Sequence, residues 1–126
     1  MSYCHDEVKI SVTDNIITAI FIGSFNYEAA VDYSNRIKSI VTSLEERPFV
    51  MLIDNIELEG ATPEGFEELE AFNTWLNQTQ LKAKAFVMTS EVHKEIIKNR
   101  TPSLSSQNIC FFSNYQEAYK WLKNFL

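Results

Sequence analysis

The sequence predicts an α/β domain, a mixed five-stranded sheet in the order β-β-α-β-α-β-α-β-α, flanked by helices. Three observations carry that prediction. Val8, Ile10 and Val12 alternate with Lys9 and Ser11 ahead of an Asp14-Asn15 pair, the signature of a half-buried strand entering a tight hairpin. Residues 49–53, 85–88 and 109–112 are short, continuous apolar runs, as expected of strands covered on both faces. Between those runs, apolar residues recur at three- and four-residue intervals, the period of an amphipathic helix. A hairpin followed by alternating units gives a sheet of mixed direction. The chain has 126 residues, 45% of them hydrophobic, enough for one core. No linker divides it, so residues 1–126 are read as a single domain.

The elements follow in order. Residues 16–22 return from the Asp14-Asn15 turn as the second strand, closed by Gly23. Asn26 is placed to cap a helix along which Ala30, Ser34, Ile37, Val41 and Leu44 share a face. That helix ends before Pro48. After the central strand come Asp54 and an acidic loop over residues 55–61. Thr62 then caps a second helix, with Pro63 at its first position and Glu64 in its first turn. Phe66, Leu69, Phe72 and Leu76 form its inward stripe, and Glu67, Glu68 and Glu70 lie outside it. Residues 85–88 form the next strand, and Ser90 caps a short helix carrying Val92, Ile96 and Ile97. Residues 101–106 read as a loop, 109–112 as the last strand, and Ser113 as the cap of a closing helix with Ala118, Trp121, Leu122 and Phe125 apolar.

A net charge of −6 argues against a general affinity for nucleic acid or anionic membranes. The charge is unevenly spread. Residues 1–81 carry fourteen acidic and four basic side chains, whereas residues 82–126 carry three and seven. Lys82, Lys84, Lys94, Lys98 and Arg100 supply much of the positive charge. They are read either as solvated side chains or as a local basic patch for phosphate groups or an acidic partner. The N-terminus is polar and acidic, and the apolar runs fall far short of a membrane span, so a cytoplasmic protein is expected. Cys4 and Cys110 are not expected to form a disulfide.

Little in the chain points to catalysis. His5 lies near the terminus, and His93 sits among lysines without the spacing of a zinc motif. Gly23, Gly60 and Gly65 form neither a dinucleotide fingerprint nor a phosphate loop. Asp54, ending a buried strand, is either a site residue or a cap for the backbone that follows it. No catalytic residues, metal ligands or cofactors are assigned. The remaining signal is aromatic: Phe66, Phe72 and Trp75 share one helix, with Trp75 off the centre of its stripe. Such a widened apolar surface is either additional core or the wall of a ligand site.

With those elements in place, the chain resembles the SpoIIAA-like family within the STAS fold. The resemblance spans nearly the whole chain and rests on three stretches. They are Gly23-Ser24-Phe25-Asn26-Tyr27, residues 49–54 with the loop and helix after them, and Phe112-Ser113-Asn114-Tyr115-Gln116-Glu117-Ala118 with Trp121-Leu122. STAS regulators carry an aspartate at the end of the central strand, then an Asp-Ser-Ser-Gly-Leu motif whose first serine is phosphorylated. Counted from Asp54, the corresponding positions are Thr62, Pro63 and Gly65, with Leu69 at a later leucine position. The strand aspartate, the glycine and the later leucine match, but Pro63 stands in the phosphoacceptor position and has no hydroxyl. The resemblance also implies kinship of fold with CRAL-TRIO lipid-binding domains, and hence an apolar ligand and reversible membrane association.

Two expectations follow. The first is a non-enzymatic carrier or sensor of a small apolar, lipid-like ligand, held by Phe66, Leu69, Phe72, Trp75, Leu76, Ile96 and Ile97. Lys94, Lys98 and Arg100 would meet a membrane or phosphate, giving the protein a peripheral membrane location besides the cytoplasm. The second is a STAS-type protein-interaction regulator, similar to anti-sigma-factor antagonists, with Thr62 as the remaining hydroxyl for phosphorylation. A homodimer is compatible with either, with no interface assigned. An enzyme using Asp54 is a third reading.

Overall fold

The computed structural model describes residues 7–126; Cys4 and His5 lie outside them. Five strands form one sheet in the spatial order β1-β2-β3-β4-β5. They are β1 (Glu7–Thr13), β2 (Ile16–Phe25), β3 (Phe49–Ala61), β4 (Leu81–Val87) and β5 (Ile109–Phe112). The helices are α1 (Tyr27–Ser43), α2 (Pro63–Leu76), α3 (Glu91–Arg100) and α4 (Tyr115–Lys123). β1 is antiparallel to β2, and every later neighbour is parallel, so the mixed sheet expected from the sequence is present. Asp14 and Asn15 turn the hairpin with φ of 51° and 64°, the paired left-handed conformation of a two-residue hairpin turn.

Because the parallel strands add in one direction and crossovers are right-handed, α1, α2 and α3 should share one face. They do. Ala30 and Ile37 of α1, Phe72 and Leu76 of α2 and Ile97 of α3 join Ile17, Ala19, Met51, Ile53 and Phe86 in one core. α4 follows the last strand and covers the other face. Its Ala118 and Leu122 pack on Val50, Leu52, Ala83, Ala85 and Val87. Strand parity therefore decides which layer each residue meets.

Several boundaries differ from the sequence reading. Residues 55–61 are the second half of β3 and not a loop. They pair with the end of β2, from Ile22↔Glu57 to Phe25↔Ala61, past the point where β4 stops at Val87↔Asp54. With one neighbour only, this ribbon tolerates the charges that made it read as a loop. Gly23, at φ 82°, sits where the β2–β3 register shifts, a bulge that favours glycine. β4 begins at Leu81 and takes in Lys84. Residues 102–106 form a short 3₁₀ helix, and α4 is capped by Asn114, not Ser113, whose side chain accepts from the Glu117 amide.

Candidate functional site

The start of α2 is built as the sequence predicts. The Thr62 hydroxyl oxygen accepts from the Gly65 amide at 3.0 Å, and Pro63 occupies the first turn, where no amide partner is required. The Thr62 amide donates to the Phe25 carbonyl at 3.0 Å, fastening the helix entrance to the end of β2. Gly65 lies against that same carbonyl. A Cβ there would fall 2.6 Å from the Phe25 oxygen and 3.2 Å from the Thr62 hydroxyl, so the glycine is required by close approach. Pro63, Glu64 and Glu67 are exposed.

Beneath α2 and α3 lies a cavity of about 60 Å³. Of the residues expected to hold an apolar ligand, Phe66, Leu69, Phe72 and Ile97 line it. The other three do not. Trp75 stacks on Phe72 at 6.1 Å, with the Lys38 ammonium 5.4 Å from its ring centre; Leu76 is fully buried core, and Ile96 is 39% exposed. A cavity of this size has no room for an acyl chain, since drug-sized ligands occupy roughly 300–1,000 Å³. The lipid-carrier expectation is therefore not supported.

The sequence reading missed the polar floor of this cavity. Lys84, assigned there to a solvated or basic patch, is only 3% exposed and points from mid-β4 toward α2. Its ammonium donates to Asn73 Oδ1 at 2.7 Å and lies 5.9 Å from the Phe86 ring centre. Gln107 Nε2 donates to the same Asn73 oxygen at 3.3 Å. Burial lowers the Lys84 pKa to about 7, because desolvation disfavours the charged form. Asn55, 5% exposed, also lines the cavity, and its Oδ1 has no hydrogen-bond partner among the described residues. A signal existed: Lys84 precedes the run at residues 85–88 in strand parity with Phe86, and Asn73 lies four residues after Leu69 on the inward stripe.

Asp54 faces the opposite layer. Its Oδ1 accepts from the Ile56 amide at 3.0 Å, the backbone-capping role weighed from the sequence. Its Oδ2 accepts from the Tyr115 hydroxyl at 2.7 Å, tying the central strand to the start of α4. Desolvation, and then the hydrogen bond to Asp54, raise the Tyr115 pKa. The basic side chains of α3 are engaged. Lys94 bonds Glu91, Lys98 lies 3.6 Å from Glu95, both ammoniums lie over Phe111, and Arg100 lies 5.9 Å from the Phe66 ring centre. Val92 is 67% exposed, but the two lysines of the rim are paired with glutamates one turn away, which weakens their attraction to an anionic surface. His93 contributes its amide to the Ser90 cap. Among the described residues no group of three His, Cys, Asp or Glu could hold a metal ion, and no helix is long and apolar enough to cross a membrane.

No protein-family profile and no curated protein sequence matches the chain. Solved structures do. An uncharacterised DUF3478-family protein with a SpoIIAA-like fold from Shewanella loihica PV-4 is 18% identical, with a TM-score of 0.73, covering 97% of this chain and 98% of its own. An anti-sigma factor antagonist from Mycobacterium paratuberculosis is 13% identical, with a TM-score of 0.66 over 94% of this chain and 95% of its own. The anti-sigma factor antagonist SpoIIAA, in its unphosphorylated form, is 7% identical, with a TM-score of 0.66 over 95% and 100%. At these identities the likeness concerns architecture, and it extends from one end of the domain to the other. The chain has the SpoIIAA-like fold.

Proposed function

We propose that this chain is a non-enzymatic protein-interaction regulator of the STAS type, docking a partner protein at the entrance to α2. The observation that supports this best is the cap itself. Thr62, Pro63 and Gly65 occupy the positions that the resemblance assigns to the regulatory motif, and Thr62 and Gly65 are seated against the Phe25 carbonyl. The end-to-end likeness to two anti-sigma factor antagonists favours the same reading. Between residues 56 and 67 the exposed charged side chains are all acidic (Glu57, Glu59, Glu64 and Glu67), so the partner presents a basic surface. Docking is constitutive in this reading, because Pro63 offers no hydroxyl where the phosphoacceptor would be.

A photo-crosslinking residue placed at Glu64, in cells of the native host, should capture one discrete protein, while the same residue at Lys9 on β1 captures none. Reversing charge with Glu64→Lys and Glu67→Lys should weaken the captured pair about tenfold. Equal capture at both positions would remove the basis for this reading. Thr62→Ala should leave affinity within about threefold; a larger loss, together with phosphothreonine in the native protein, would restore a switch at Thr62.

A further inference from the structure

We infer that the recess beneath α2 and α3 is a binding site for a short hydroxycarboxylate, a glycolate-sized monoanion, with Lys84 as its counter-ion and Asn55 as the acceptor for its hydroxyl. The site lies behind α2, apart from the exposed cap, so its failure would leave the regulator reading standing.

Among the described residues, the Lys84 ammonium is a buried charge without a counter-charge: no carboxylate lies within ion-pair distance of it, and none lines the cavity. Its one hydrogen bond goes to a neutral amide oxygen. An ammonium can donate three. A buried cation without a counter-charge is costly unless it sheds its proton or gains an anion, and the depressed titration of Lys84 reflects that cost. Tyr33 is the other titratable group lining the cavity, and burial raises its pKa, so it stays neutral.

Size and charge narrow the anion. A cavity of about 60 Å³ compares with the roughly 10–15 Å³ that a single water needs, which admits a molecule of about four to six heavy atoms. One cation among phenylalanines balances one negative charge, and a phosphate dianion would bury a second without a partner. The unpartnered Asn55 Oδ1 then requires a donor, which a plain carboxylate lacks and a hydroxycarboxylate has. A site built around a buried hydroxyl contact discriminates against ligands without one.

The test uses the full chain with isotopically labelled lysine side chains, the Lys84 signal being identified by its loss in Lys84→Met. Glycolate should raise the Lys84 titration midpoint by about one pH unit or more, equivalent to about tenfold tighter binding to the protonated form. Acetate should bind about tenfold more weakly than glycolate, and Asn55→Leu should erase that preference. Lys84→Met should keep the fold, as apolar replacements of buried charges commonly do, and show no heat of binding with glycolate. The inference is overturned if glycolate leaves the Lys84 titration unmoved, if Lys84→Met binds glycolate as well as the native chain, or if chloride shifts the midpoint as far as glycolate does.

Discussion

Lys84 shows how far one residue can depart from its sequence context. Lysines are seldom buried unless paired, and this one stands at the edge of an apolar run with Lys82 beside it, so charge counting assigns it to the surface. What buries it is the pleat: β4 starts at Leu81, and alternation turns Ala83 and Ala85 toward α4 and Lys84 and Phe86 toward α2. Its titration has a consequence for stability. The folded group titrates near 7 against an ordinary 10.5. Between those values the unfolded chain binds more protons than the folded one, so stability rises with pH across that window. Below 7 both states hold the proton, and the burial cost is felt in full. The unfolding free energy from denaturant titration should therefore climb from pH 7 toward pH 10, by at most about 1.4 kcal/mol per unit. Lys84→Met should be more stable than the native chain at pH 6 and lose this group's part of the slope; a variant with the native slope would show that the group titrates normally. On the other face, Tyr115→Phe strips Asp54 Oδ2 of its hydroxyl donor and should cost about 1–3 kcal/mol by chemical denaturation.

At the scale of elements, helices were more legible than strand ends. Asn26, Thr62 and Ser90 cap as their residue types promise, and the Phe66-Leu69-Phe72-Leu76 stripe packs inward, because caps and periodicity are local rules. The second half of β3 was illegible because its pairing is not local. Glu57 and Glu59 sit on a ribbon of β3 that, among the described residues, pairs with β2 alone and is exposed along its other edge, so hydropathy marks a loop where hydrogen bonding makes a strand. The join between that ribbon and α2 carries two predictions of different size. Thr62→Ala removes a single capping acceptor and should cost about 1 kcal/mol. Gly65→Ala forces a Cβ into the Phe25 carbonyl and should cost about 1–3 kcal/mol through displacement of backbone. Thermal melts that ranked the two in reverse would mean the helix entrance yields more easily than its packing implies.

For the whole molecule, the order of elements and the two-layer plan were readable because connection rules leave few arrangements for a hairpin followed by alternating units. The candidate site was only half readable. Its phenylalanine and leucine wall follows from the helical stripe, but its floor of Lys84, Asn73 and Asn55 comes from β4, α2 and β3, brought together by sheet register that no short-range pattern encodes. The same plan puts Trp75 among the residues packed on the α1–α2–α3 face and Trp121 among those packed beneath α4. Nature has thus wired one optical reporter into each half of the sandwich. Single-tryptophan variants, Trp75→Phe and Trp121→Phe, would let intrinsic fluorescence follow the halves separately during denaturation. Coincident curves are expected, since both halves grip the same central strand, whereas staggered ones would reveal that the α4 half lets go on its own.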